Sequence, residues 1–130
     1  MNIVMTSFLA TGLVLVGGVF GRWQKSPPDL DEQVLDQLKK AGSNLSKPHD
    51  IEFFLYFQTK ESANGAAEEV EEEGATAKVD RAADDSAWLC FATKKMVPDH
   101  AELVRLRKKF NGIASKLKGE YDGWGTEVVK

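Results

Sequence analysis

Cysteine and histidine are scarce in this chain of 130 residues, and their scarcity excludes two ways of stabilising a small fold. The single cysteine, Cys90, rules out an intramolecular disulfide. One cysteine with two histidines, His49 and His100, also rules out a structural zinc site made of four cysteines or of two cysteines and two histidines. We therefore expect one domain stabilised by a hydrophobic core, with no metal ion and no cofactor.

Recognised catalytic motifs are missing as well. The chain has no glycine-rich phosphate loop, no G-x-S-x-G nucleophile motif and no H-E-x-x-H zinc motif. His49 and Asp50 could form a base with its orienting acid, but adjacent residues of a strand point to opposite faces. Cys90 has no histidine at a recognised spacing. We predict that the protein is not an enzyme; the alternative is a small hydrolase or nucleotide-handling enzyme that uses His49, Asp50 or His100.

Charge is unevenly distributed, although the net charge is only −3. Residues 26–85 carry fifteen acidic and six basic side chains, whereas residues 86–130 carry five acidic and nine basic ones. The acids concentrate at 68–73 and the bases at 105–109. A run of like charges is most often a solvated helix face. The functional alternatives are an acidic surface that competes with nucleic acid for a basic partner, and a basic cluster that contacts the phosphates of RNA or lipid.

The longest uncharged run lies at the N-terminus, where residues 3–20 begin at Ile3 and end at Phe20. As a helix, these eighteen residues would be about 27 Å long, just short of the hydrocarbon core of a bilayer. A membrane-spanning helix is the favoured interpretation. A cleaved signal peptide and a buried core helix are the alternatives, although no A-x-A-like cleavage site is present.

The residues that follow this run are typical of a membrane boundary. Arg22, Trp23 and Lys25 combine an aromatic ring with basic side chains, and the positive charges place the rest of the chain in the cytoplasm. We therefore predict an anchor in residues 1–25, attached to the inner membrane, and a cytoplasmic domain in residues 26–130.

The domain alternates between strand and helix patterns. The strongest strand, at 49–57, has aromatic side chains on both faces, which is typical of an inner strand. The other expected elements are a leading helix at 29–41, helices at 60–73 and 98–118, and strands at 75–81, 87–93 and 121–129.

From His49 onward, the order of these elements is βαββαβ. It predicts an α+β, ferredoxin-like fold, with a four-stranded antiparallel sheet and two helices on one face. The leading helix and the apolar N-terminal segment precede this unit. Counting from the strand at His49, the expected order across the sheet is fourth, first, third, second.

The last strand carries an unusual run, Tyr121-Asp122-Gly123-Trp124-Gly125-Thr126. Two glycines in a strand require a bulge, a bend or a close backbone approach. The run therefore predicts either a bulged strand with Trp124 packed under a helix, or a binding surface that includes Tyr121, Asp122 and Trp124.

This run, following a helix that ends in Gly119-Glu120, resembles the RraB family of protein regulators of ribonuclease E. The resemblance extends back through a leading helix with Gly42-Ser43 and a strand entered by Ile51-Glu52, and it covers about residues 29–130. It implies an acidic, ferredoxin-like, non-catalytic protein that binds and inhibits ribonuclease E or a related ribonuclease, and so modulates RNA decay. The contact would be with the protein and not with RNA. The apolar N-terminus and the basic long helix depart from the family pattern.

The resemblance transfers no catalytic residues. The side chains that we expect to contact the partner are Tyr121, Asp122 and Trp124 of the last strand and Glu68, Glu69 and Glu72 of the acidic helix. The alternative function is a membrane-tethered module that binds an unrelated client.

Overall fold

The computed structural model describes residues 13–17, 30–83 and 85–130. Its elements are, in chain order, β1 (Leu13–Gly17), α1 (Leu30–Lys40), β2 (His49–Phe57), α2 (Lys60–Glu71), β3 (Thr76–Arg81), β4 (Trp88–Met96), α3 (His100–Lys116) and β5 (Glu120–Glu127).

The strands form one antiparallel sheet in the order β1-β5-β2-β4-β3. Without β1, the order β5-β2-β4-β3 is the one predicted for a ferredoxin-like fold, which is thereby confirmed. β2 is central as expected, and it pairs with β4 over its full length, from His49 opposite Met96 to Phe57 opposite Trp88. β4 extends three residues beyond the predicted 87–93 because its lysine-rich end still pairs with the beginning of β2.

The hydrophobic core lies between one face of the sheet and all three helices. β2 contributes the alternate side chains Ile51, Phe53, Leu55 and Phe57, each at most 1% exposed. The helices contribute apolar stripes to the same cluster: Val34 and Leu38 from α1, Ala63, Ala66 and Val70 from α2, and Leu103, Leu106, Phe110 and Ile113 from α3. The leading helix α1 therefore belongs to the same packed layer as the two helices of the βαββαβ unit.

Polar side chains define where α2 and α3 begin. The Thr59 hydroxyl accepts the backbone N–H of Ser62 at 3.1 Å, and the Asp99 carboxylate accepts that of Glu102 at 3.0 Å. These bonds satisfy backbone donors that have no partner within a first helical turn. The inner stripe of α2 consists of small side chains, so this helix can lie close to β3 and β4.

Strand β1 comes from the run for which a membrane helix was predicted. Residues 13–17 are extended and not helical, because their backbone pairs with β5. The rest of residues 3–20 and the predicted boundary between residues 25 and 26 lie outside the described residues, so the two-part division stays a prediction, whereas a membrane helix that includes residues 13–17 does not agree with β1. Among the helices that the structure describes, none combines the length and the apolar character needed to cross a bilayer.

Candidate functional site

A β-bulge shapes the last strand. Phe54 of β2 lies opposite Gly123 and the next residue, Leu55, lies opposite Tyr121, so Asp122 is an extra residue in β5. Gly123 has φ 108°, a backbone conformation that residues with a Cβ rarely adopt. The bulge predicted from the two glycines is confirmed. Because the extra residue shifts the alternation of the strand, Tyr121 and Trp124 both enter the core beneath the helices.

Trp124 is linked to the beginning of α1 by a buried polar cluster. Its Nε1–H donates to Asp31 Oδ1 at 2.9 Å, and Arg107 Nε of α3 donates to Asp31 Oδ2 at 2.7 Å. Asp31 is 1% exposed and Trp124 is 2% exposed. The carboxylate therefore joins α1, α3 and β5, and its burial is compensated by two donors, one of them cationic.

Tyr121 and Asp122 are also buried, at 8% and 4% exposure. The Tyr121 ring packs edge-on against Phe110, with 5.9 Å between ring centroids. Burial, followed by the nearby Asp31 carboxylate, raises the pKa of the Tyr121 hydroxyl well above 10, so this group stays neutral. Within the part of the chain that the structure describes, the hydroxyl has no hydrogen-bond partner. The three predicted contact residues of the last strand thus lie together inside the domain.

A second polar link holds the end of the chain. Ser43 follows α1 and the left-handed Gly42, and its Oγ accepts the backbone N–H of Val129 at 2.9 Å. Ser43 Oγ also lies 2.7 Å from His49 Nε2, while His49 Nδ1 lies 2.8 Å from the Lys47 carbonyl. A carbonyl only accepts, so the Nδ1–H of His49 donates to Lys47. The Ser43 hydroxyl also lies 3.4 Å from the Val129 carbonyl, to which it can donate.

This arrangement has the form of a serine with its base, but it is buried, at 9% exposure for Ser43 and 1% for His49. It fastens the chain end to the loop between α1 and β2. Asp50 is exposed, and His100 lies exposed at the first position of α3. Burial, together with Glu71, raises the pKa of the Cys90 thiol to about 11, so little nucleophilic thiolate forms at neutral pH.

The second group of predicted contact residues lies at the surface of α2. Glu68 and Glu72 are exposed and, together with the exposed Glu71, form what we call the α2 acidic surface. Glu69, by contrast, accepts a hydrogen bond from Lys116 Nζ of α3 at 2.6 Å, and Glu73 pairs with Arg105 at 3.0 Å. The acidic run is therefore divided into three acids that point to solvent and two that bind α3.

The basic cluster of α3 is partly neutralised within the domain. Arg105 pairs with Glu102 at 2.8 Å as well as with Glu73, and hydrogen bonds to these two carboxylates raise the pKa of its guanidinium. Arg107 is bound to Asp31. Lys108 and Lys109 remain exposed, so the surface offers less positive charge to phosphates than the sequence suggests.

Comparison with known proteins identifies the family to which this domain belongs. The family model for the regulator of ribonuclease activity B, RraB, matches residues 29–126. The chain belongs to the RraB family. No curated protein matches the chain. RraB is a family of regulators, so a regulatory role follows from membership, and a ribonuclease is the class of protein on which such a regulator acts.

The RraB match includes both ends of the Trp124–Asp31 bond, which the sequence could not reveal. In the sequence, Asp31 is one of the acids in the first turn of a helix, a position that complements the helix dipole, and Arg107 belongs to the basic cluster at 105–109. Their partners lie 93 and 76 positions away along the chain, and no local pattern marks such contacts. For Ser43, the sequence gives only its place beside Gly42 in the stretch that resembles the family.

Proposed function

We propose that this RraB-family protein binds ribonuclease E or a related ribonuclease and lowers its activity, and thereby modulates RNA decay. The observation that carries the proposal is the match of the family model across residues 29–126, which include all three helices, strands β2 to β4 and most of β5. The inhibited enzyme is contacted as a protein, and RNA is not a direct ligand.

The α2 acidic surface is the proposed contact site. Glu68 lies in the last turn of α2 and Glu72, the C-cap residue, follows it one helical turn later on the same side, with Glu71 between them in sequence. Acids in the last turns of a helix oppose its dipole, so they do not favour folding at this position. Exposed acids that oppose helix stability are consistent with selection for binding. A surface of lysine and arginine side chains on the ribonuclease is the complementary partner.

The other predicted contact residues act less directly in this proposal. Glu69 orients the acidic helix through its bond with Lys116. Tyr121, Asp122 and Trp124 shape β5, and Trp124 holds α1 through Asp31. We propose that they support binding by fixing the arrangement of the helices.

A charge-reversal experiment tests the contact site. Full-length wild-type protein and the variant E68K/E72K are compared for binding to immobilised ribonuclease E and for inhibition of its cleavage of a structured RNA. The matched control is D36K/D50K, which makes the same change in net charge at two exposed acids on α1 and β2. We expect E68K/E72K to weaken binding by tenfold or more (about 1.4 kcal/mol), and the control to stay within about threefold of wild type.

Two results would contradict this proposal in different ways. Equal weakening by both variants would mean that net charge matters and the α2 acidic surface does not. No binding or inhibition by the wild-type protein, with ribonuclease E or with related ribonucleases, would remove the proposed function and leave an unrelated client.

A further inference from the structure

Strand β1 pairs with a sheet edge that belongs to the RraB domain. The family match covers residues 29–126, so β1 lies outside it, whereas most of β5 lies within it. In the four-stranded part, β5 is a terminal strand. The pairing runs from Leu13 opposite Glu127 to Gly17 opposite Gly123, and β1 is therefore an addition to the outer edge of the family domain.

The opposite edge of the sheet, β3, has a composition that discourages strand pairing. It carries Lys78, Asp80 and Arg81 within six residues, and all three are exposed. The Asp80 carboxylate also accepts the backbone N–H of Arg81 at 2.8 Å. Charged side chains on an edge strand keep other strands away from its backbone.

The edge at β5 carries one charged side chain where β1 contacts it, that of Glu127 opposite Leu13. The residues of β5 that lie opposite positions 14–17 are all uncharged: Thr126, Gly125, Trp124 and Gly123. Two of them have no side chain, and the Trp124 indole is buried against Asp31. Along these four positions, a second strand can therefore approach the β5 backbone without meeting a steric or electrostatic barrier, as in strand addition to an exposed sheet edge.

We propose that the outer edge of β5 is a docking site for an extended, uncharged peptide strand, and that β1 is its resident and displaceable occupant. The sequence of β1, LVLVG, has the chemistry that this edge accepts, with two β-branched valines and no charge. The twelve residues between β1 and α1 can span up to about 40 Å when extended. This is long enough for β1 to leave β5 while α1 stays in the core. The proposal is independent of the α2 acidic surface.

Amide hydrogen exchange in the full-length chain tests the docking site. The variant V14P/L15P removes two backbone donors from β1, and V14A/L15A is the matched control that keeps them. In V14P/L15P, we expect those amides of residues 123–127 that face β1 to exchange at least about tenfold faster than in the control. Amides between β2 and β4 should keep their protection in both variants.

A peptide of residues 11–19, with terminal lysines added for solubility, is then supplied to V14P/L15P. We expect this peptide to restore the slow exchange at residues 123–127. The same peptide with prolines in place of Val14 and Leu15 should not restore it. Unchanged exchange in V14P/L15P would show that β1 does not protect this edge. Faster exchange that the peptide fails to restore, or loss of protection throughout the sheet, would show that β1 is not a displaceable occupant of a preformed site.

Discussion

At the scale of single residues, Asp31 joins the first helix of the domain to its last strand. Its carboxylate accepts both the Trp124 indole N–H and the Arg107 guanidinium while almost completely buried. A buried carboxylate is tolerated when its oxygens have such donors. The family run at 121–126 is thus explained by folding: the bulge at Asp122 and Gly123 turns Trp124 toward the core, where it reaches Asp31.

The variant D31A should destabilise the protein. It leaves the Trp124 N–H buried without its acceptor and Arg107 without its partner, and we expect a loss of about 2–3 kcal/mol in the free energy of unfolding. Urea unfolding monitored by tryptophan fluorescence measures this change. The control D36A removes an exposed acid from the same helix and should change stability by no more than about 0.5 kcal/mol. Equal stabilities of D31A and D36A would show that the cluster does not hold α1.

Glu52 makes the stability of the protein depend on pH. Burial, followed by the charges of Glu127 and Asp50, raises the pKa of its carboxyl above the ordinary 4.5. A carboxyl whose pKa is higher in the folded protein than in the unfolded chain contributes stability below the pKa of the unfolded chain. This contribution to the free energy of unfolding is lost as the pH rises through the pKa of the folded protein. The variant E52Q should therefore be more stable than wild type at pH 7, and this gain should vanish near pH 4.

Urea unfolding at the two pH values measures the effect of E52Q. The control D36N should give the same small change at both pH values. A gain from E52Q that is equal at pH 4 and pH 7 would show that titration of this carboxyl is not its cause.

At the scale of elements, the turn between α3 and β5 packs tightly against β2. A Cβ added at Gly119 would collide with the Phe57 ring and with the backbone oxygen of Tyr56. Gly112 within α3 has open space beside it, because an added Cβ would have no heavy atom within 4 Å apart from the neighbouring residues and backbone of its own helix. The two glycines therefore offer the same substitution in opposite environments.

We expect G119A to cost about 2–3 kcal/mol of stability, because the collision forces β5 away from β2. In contrast, G112A should stabilise the protein by about 0.5–1 kcal/mol, since alanine is the better residue within a helix. Thermal unfolding of the two variants checks both signs. A tolerated G119A would contradict the close approach of this turn to β2.

The α2 helix gives a prediction in which stability and binding change in opposite directions. Removing charge in E68Q/E72Q should stabilise the protein by about 1 kcal/mol, because it relieves repulsion and the opposition to the helix dipole. The same variant should bind ribonuclease E more weakly. The control E69Q/E73Q loses the ion pairs with Lys116 and Arg105, so its stability should not rise. A gain in stability with unchanged binding would show that the α2 acidic surface is not the contact site.

The elements show how far the sequence alone reaches. Strand β2 and the order βαββαβ could be predicted, because alternation and helical periodicity are local consequences of burial on one face. The bulge at Asp122 could be predicted, since glycine in a strand marks it. The direction of Trp124 stayed open between packing under a helix and a binding surface, because it depends on a partner near the other end of the domain. Strand β1 was missed because an uncharged run fits a membrane helix and a paired strand equally well.

At the scale of the whole molecule, the domain separates its interior network from a charged exterior. Asp31, Tyr121, Asp122 and Trp124 are buried, while the α2 acidic surface faces solvent on a helix that is fastened to α3 by ion pairs. β1 extends the sheet from outside the RraB region. Its pairing with β5 and a membrane helix through residues 3–20 exclude each other, because residues 13–17 cannot adopt both backbone conformations.

The central claim is that this RraB-family protein lowers the activity of a ribonuclease by binding to it. The most direct measurement is the rate at which purified ribonuclease E of the same organism cleaves an RNA substrate as full-length protein is titrated in. We predict that the cleavage rate falls to a plateau. A fixed amount of protein should lower the rate by the same fraction at different RNA concentrations, as long as these are too low to saturate the enzyme. The variant E68K/E72K should shift the titration to higher protein concentration. A cleavage rate that stays constant throughout the titration, with the protein folded, would contradict the claim.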